Sequence, residues 1–217
     1  MNANGFEKLH GIDEMDEKQV LTLCRTAEWL TRQKLSGTIE LYRPVKVQTG
    51  RTPRQTGARR IRRTNVMKRI GILGAGTWGM ALARMLTVSG NDVLVWSAIE
   101  KEIDSLSTTR KHPNLPQMKI PDELRFTKSI EEVCKDKDIL LFAVPSVFVR
   151  STAAKARPYV ADGQIIVDVA KGIEPDTLYT MTEILADELG KEGGPKGVRL
   201  VALSGPTHAE EVARDMP

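Results

Sequence analysis

From Met67 onward, hydrophobic and polar positions alternate between two regular patterns. Short apolar runs bounded by turn residues predict strands at Lys68–Leu73, Asp92–Trp96, Asp138–Ala143, Gln164–Val169 and Val198–Leu203. The run DILLFA is apolar throughout, as expected of a strand covered on both faces. Between the runs, apolar residues recur at helical spacing. Helices are predicted at Trp78–Ser89, closed by Gly90, at Ile99–Ser107, at Val147–Ala156, at Thr177–Leu189, closed by Gly190, and from Thr207 to Arg214. Ser129-Ile130-Glu131-Glu132 has the spacing of a capping box opening a further short helix. Thr108 to Pro121 holds three prolines and reads as turns. Strands alternating with helices imply an α/β fold, a doubly wound parallel sheet.

Residues 1–66 follow neither pattern. Asp16–Leu35 places Val20, Leu23, Ala27 and Leu30 on one helical face, and Thr38–Val47 reads as a short strand weakened by Pro44. One helix and one broken strand cannot bury a core of their own, so a poorly structured N-terminal extension is expected ahead of a domain spanning 67–217. Met67-Lys68-Arg69-Ile70 is also a natural chain start, so the upstream segment reads either as an appendage or as an extension from a misplaced start.

Charge sharpens this division. Residues 1–66 hold 13 Lys/Arg against 7 Asp/Glu, and residues 67–217 hold 19 against 21, so the basic excess lies wholly in the extension. Arg43 to Arg63 carries eight basic residues and no acidic one. Such a stretch can bind nucleic acid or anionic lipid, but it lacks stacking aromatics and any fold motif; a solvated linker is the favoured reading. No apolar run reaches the roughly 18 residues of a membrane span, and the first residues are polar and acidic, unlike a signal peptide. Cys24 and Cys134 are far apart, without C-x-x-C spacing or a His cluster, which fits reduced thiols, a cytoplasmic setting and no metal site.

The chemistry concentrates where strands end. Gly74-Ala75-Gly76-Thr77-Trp78-Gly79 sits between the first strand and its helix, the context in which G-x-G-x-x-G signals dinucleotide binding. Gly74 permits the tight turn, Gly76 lets backbone approach a pyrophosphate, and Gly79 lets helix and strand pack closely. The helix N-terminus then faces the phosphates. After the second strand neither an acidic residue nor an arginine stands at the expected place; Glu100 can serve the ribose hydroxyl of NAD and Lys101 the extra phosphate of NADP, and both can equally be ordinary first-turn helix residues. After DILLFA, Phe148 can pack on a cofactor or belong to the core. Lys171, beside Gly172 at the end of the next strand, can hold a substrate phosphate or polarise a carbonyl oxygen, the alternative being an ordinary surface charge. After the last strand, Gly205 allows close approach, and Thr207 can cap a helix and donate to a ligand. His208 has no partner spacing for a metal or a triad.

The stretches GILGAGTWGMALARML, ILLFAVPS, VAKGIEPDTL and LSGPTHAEEVARDMP, in this order, closely resemble the N-terminal half of bacterial-type NAD(P)-dependent glycerol-3-phosphate dehydrogenases. The resemblance covers residues 67–217 and implies a Rossmann-like domain. It implies that Thr77 and Trp78 contact the cofactor diphosphate, and that Phe148 and Ala209 line the cofactor cleft. Lys171 would then touch both NAD or NADP and substrate, with Gly205 and Thr207 helping to hold the substrate. The implied reaction is hydride transfer between NAD(P)H and dihydroxyacetone phosphate, giving sn-glycerol 3-phosphate for phospholipids, with a homodimer in reach for a full-length protein. Ile99 stands where family members often carry arginine, and Asn114 near a frequent tyrosine. The family continues beyond Pro217 into a helical domain that supplies the general acid, so this chain reads as the cofactor-binding part, inactive alone. The readings to separate are this enzyme part, a non-catalytic dinucleotide module, and a basic arm serving nucleic acid.

Overall fold

A computed structural model describes residues 67–204 and 208–214. The expectations for residues 1–66, and for Gly205 and Thr207, fall outside the described residues. Six parallel strands form one sheet: β1 (Arg69–Leu73), β2 (Asp92–Trp96), β3 (Arg125–Thr127), β4 (Ile139–Phe142), β5 (Ile165–Asp168) and β6 (Arg199–Ala202). Their order is β3-β2-β1-β4-β5-β6. The chain winds outward in both directions from β1, which pairs Ile70 with Val93 of β2 on one side and with Ile139 of β4 on the other. The crevice where the winding reverses is the usual ligand position in such sheets.

Both faces are covered, which explains the apolar runs. Alternate strand residues Ile70, Ile72, Val93, Val95, Ile139, Leu141, Ile165 and Val167 pack with α1 (Thr77–Val88), α2 (Glu100–Thr109) and α6 (Ala209–Ala213). The opposite set, including Leu73, Leu94, Leu140, Phe142 and Ile166, packs with α3 (Ile130–Cys134), α4 (Val149–Ala156) and α5 (Met181–Leu189). α1 ends as the pattern predicts. Gly90 adopts φ 87°, and its N–H and that of Asn91 bond the Thr87 and Leu86 carbonyls at 2.9 and 3.2 Å.

Four expectations change. The stretch after α2 is a packed segment, with Leu115, Met118, Ile120, Leu124 and His112 buried. Arg110, itself at φ 52°, gathers it by donating to the Leu124 carbonyl at 2.6 Å and the Pro121 carbonyl at 3.3 Å. It is followed by β3, an edge strand too short to show a period. Secondly, α5 begins at Met181 and not at Thr177. The Thr177 hydroxyl donates to Glu174 Oε2 at 2.5 Å, Glu174 N–H bonds the Tyr179 carbonyl, and Ile173 pairs with Thr180, so residues 173–180 form a compact turn. Thirdly, the full capping box is at Thr180/Glu183; at Ser129 only half exists, because Glu132 instead accepts the Thr127 hydroxyl at 2.5 Å. Finally, the last helix starts at Ala209, with His208 as its N-cap residue.

Candidate functional site

The turns leaving β1, β4 and β5, with Leu203 after β6, lie at the carboxyl edge of the sheet, held by backbone bonds between neighbouring strand ends. Gly74 N–H bonds the Trp96 carbonyl and Ala143 N–H the Leu73 carbonyl, both at 2.8 Å. Val169 N–H bonds the Phe142 carbonyl at 3.1 Å, and Leu203 N–H the Asp168 carbonyl at 2.8 Å. Five chain segments remote in sequence thereby share one rim.

The three motif glycines divide their work by geometry. Gly74 lies at φ 124°, and a Cβ on it would sit 2.6 Å from the Ala143 carbonyl carbon and oxygen. A Cβ on Gly79 would sit 2.2 Å from the Gly74 carbonyl oxygen. Both are required to fold the turn. Gly76 differs: its φ is −66°, and a Cβ there would meet nothing within 4 Å. Its lack of a side chain is not needed for packing, and it leaves open space beside the N-terminus of α1. That terminus carries no acidic residue in its first turn and no side-chain cap, and its first ladder bond is Met80 N–H to the Gly76 carbonyl at 2.9 Å. The preceding amides of Thr77, Trp78 and Gly79 suit an anion bearing several oxygens.

The remaining expected residues lie on the segments that follow β1, β4, β5 and β6. Trp78 and Ala209 are half-buried against the α1 and α6 layer. Phe148 is 55% exposed, which excludes the core reading. Lys171 is exposed on the turn after β5, where Gly172, at φ 136°, lies so close to the β4 turn that a Cβ would be 3.3 Å from Ser146 Cβ. Further features escaped the sequence reading. Asn114 Nδ2 donates to the Thr77 hydroxyl at 3.2 Å, bringing the buried segment after α2 to the motif. Past β2, the buried Ser97 hydroxyl donates to Glu102 Oε2 at 2.5 Å. Asp168, at the end of β5, is buried, and desolvation pushes its carboxyl up to about 6. Arg150 of α4 grips Glu174 through two bonds of 2.8 Å and also pairs with Asp187, holding Glu174 down to about 2. Only the buried acid at the end of an apolar strand gave a sequence signal that could have been followed.

A family model described as the NAD-dependent glycerol-3-phosphate dehydrogenase N-terminus matches residues 69–217. The chain belongs to this family. A glycerol-3-phosphate dehydrogenase [NAD(P)+] of Lactobacillus delbrueckii subsp. bulgaricus is 68% identical over 151 residues, which are 70% of this chain and 45% of the relative. One from Agathobacter rectalis is 47% identical over 152 residues, 70% and 44% of the two chains. The solved glycerol-3-phosphate dehydrogenase of Coxiella burnetii superposes with a TM-score of 0.60 at 29% identity, covering 70% of this chain and 45% of that one. The chain thus spans a little under half the length of the relatives it matches. Among the described residues, no helix is long and apolar enough to cross a membrane, and no cluster of His, Cys, Asp or Glu could hold a metal ion.

Proposed function

We propose that residues 67–217 are the dinucleotide-binding domain of an enzyme that interconverts dihydroxyacetone phosphate and sn-glycerol 3-phosphate with NADH or NADPH. The observation that carries this reading is the open space at Gly76 beside an uncapped helix N-terminus, in a chain of this family. The dinucleotide, when bound, supplies or accepts the hydride. The amides of Thr77, Trp78 and Gly79 hold its diphosphate, with Gly74 and Gly79 setting the turn. Phe148 and Ala209 border the cleft. Lys171 places an ammonium where a substrate carbonyl gains negative charge, and can share the substrate with Gly205 and Thr207. No metal is required by these roles. The setting we assign is cytoplasmic, with a small phosphate ester as substrate and a homodimer for the full-length enzyme.

Because the chain spans under half of its relatives' length, we assign it binding without useful turnover when it stands alone. A positioned general acid contributes about 10²–10⁴-fold, and fixing the substrate in near-attack geometry adds to it. Both are assigned to the part of the relatives that this chain does not span. The test is a fluorescence titration of NADH and NADPH into the parent and Gly76→Val. The added side chain enters the space assigned to the diphosphate while meeting no protein atom within 4 Å of its Cβ. The variant should keep its fold by circular dichroism and lose binding. Equal affinity in the two proteins would overturn the assignment.

A further inference from the structure

The buried carboxyl of Asp168 has no part in the roles above, yet it ends the strand that leads to Lys171. Ile166 faces the layer of α3, α4 and α5, and strand alternation puts Asp168 on that same apolar face. An apolar side chain would fill such a position without desolvating a charge. The carboxyl instead makes two directed bonds. Its Oδ1 accepts the Ala170 N–H at 3.0 Å, two residues along the chain, and it also accepts the hydroxyl of Thr182 in the first turn of α5. One side chain therefore ties the end of β5, the residue before Lys171 and the following helix together.

The chain beyond Lys171 is held as well. Gly172 turns at φ 136° against Ser146. Glu174 is gripped by Arg150 of α4, and its N–H bonds the Tyr179 carbonyl at 2.9 Å. Lys171 thus sits on a short span between two polar anchors. The outer one is half-buried, with the Glu174 side chain 19% exposed, whereas the inner one is a carboxyl 4% exposed.

We propose that Asp168 is a positioning residue for Lys171: by holding the Ala170 amide, its carboxyl sets the course of the chain that carries the lysine to the cofactor cleft. This rests on the reading of Lys171 as a cofactor contact. The test uses the 217-residue chain and NADH titrated by fluorescence into Lys171→Ala, Asp168→Val, Asp168→Asn and the Asp168→Val/Lys171→Ala double variant. Valine suits a buried parallel strand and removes the acceptor, so Asp168→Val should melt no lower than the parent. Lys171→Ala should weaken binding roughly three- to tenfold, and Asp168→Val should do likewise. Asp168→Asn retains an Oδ1 acceptor and should restore affinity to within about twofold, a rescue that apolar packing alone would not give. The double variant should bind no more weakly than Lys171→Ala, because a residue acting through the lysine has nothing left to act on. Fully additive losses, or a normal affinity in Asp168→Val beside a weakened Lys171→Ala, would overturn the role of Asp168 alone. A normal affinity in Lys171→Ala would remove the lysine from the site and overturn both readings.

Discussion

At the scale of single residues, glycine identity and glycine necessity separate within one motif. Gly74 needs its positive φ and has backbone 2.6 Å from a Cβ, whereas Gly76 has an ordinary φ and open space. Gly74→Ala should therefore lose at least about 2 kcal/mol in urea denaturation, and Gly76→Ala no more than about 0.5 kcal/mol. Comparable losses in the two would contradict this division. Asp168 adds a pH dependence whose sign follows from its raised carboxyl. Below about pH 4 folded and unfolded chains both hold the proton, and above about 6 both have released it. In between, the folded chain holds more protons, so stability falls as pH rises through that window, by on the order of 2–3 kcal/mol at most. Asp168→Asn should lack this decline, read as the difference between parent and variant unfolding midpoints from pH 4 to 7. Glu174 works in the opposite sense. Held down to about 2 by Arg150, it contributes stability above its unfolded value near 4.5 and loses it as pH falls towards 2. Because Glu174 is common to both proteins, its contribution cancels in that difference. Cys134, fully buried with its thiol pushed up to about 12, has no reactive thiolate at neutral pH.

At the scale of elements, helix starts were harder to place than helix faces. Two S/T-x-x-E spacings occur, at Ser129 and at Thr180, and only the second closes on both sides. The deciding factor is what else can reach the glutamate. Thr127, on the edge strand β3, takes Glu132, while Glu183 has Thr180 to itself. Thr180→Ala should cost about 1 kcal/mol in denaturant unfolding, because it removes the cap of a helix that packs on the sheet through Met181, Ile184 and Leu185. A smaller effect than that of Ser129→Ala would show that the second box is not the stronger one.

At the scale of the whole molecule, the described residues from Met67 onward form a six-stranded sheet with both faces covered. A chain beginning at Met67 should therefore fold and bind NADH with the affinity of the 217-residue chain, by melting and fluorescence titration. Lost solubility or affinity would show that residues 1–66 contribute to the domain. Neither length should oxidise NADH at a useful rate with saturating dihydroxyacetone phosphate; brisk turnover would overturn the assignment of general acid and substrate fixation to the part of the relatives not spanned here.

The sequence by itself determined the alternation of strands and helices, the parallel sheet and the glycine turn, because burial on two faces and a tight turn are constraints that a few adjacent residues must satisfy. That Thr77, Phe148 and Lys171 follow β1, β4 and β5 was legible for the same reason, since in this topology whatever follows a strand lies at the carboxyl edge. Tertiary structure decided the rest. β3 is a strand because Leu94 lies beside Arg125, whose guanidinium donates to Asp92 at 2.7 Å; its own three residues carry no period. The prolines after α2 suggested loose turns, but Arg110 donates across a dozen residues and buries that segment. Phe148 is exposed and Asp168 buried, the reverse of their hydrophobicity. Burial of a single side chain depends on which distant elements pack over it, and an apolar residue at a rim or a carboxyl under a helix leaves no periodic trace in the chain.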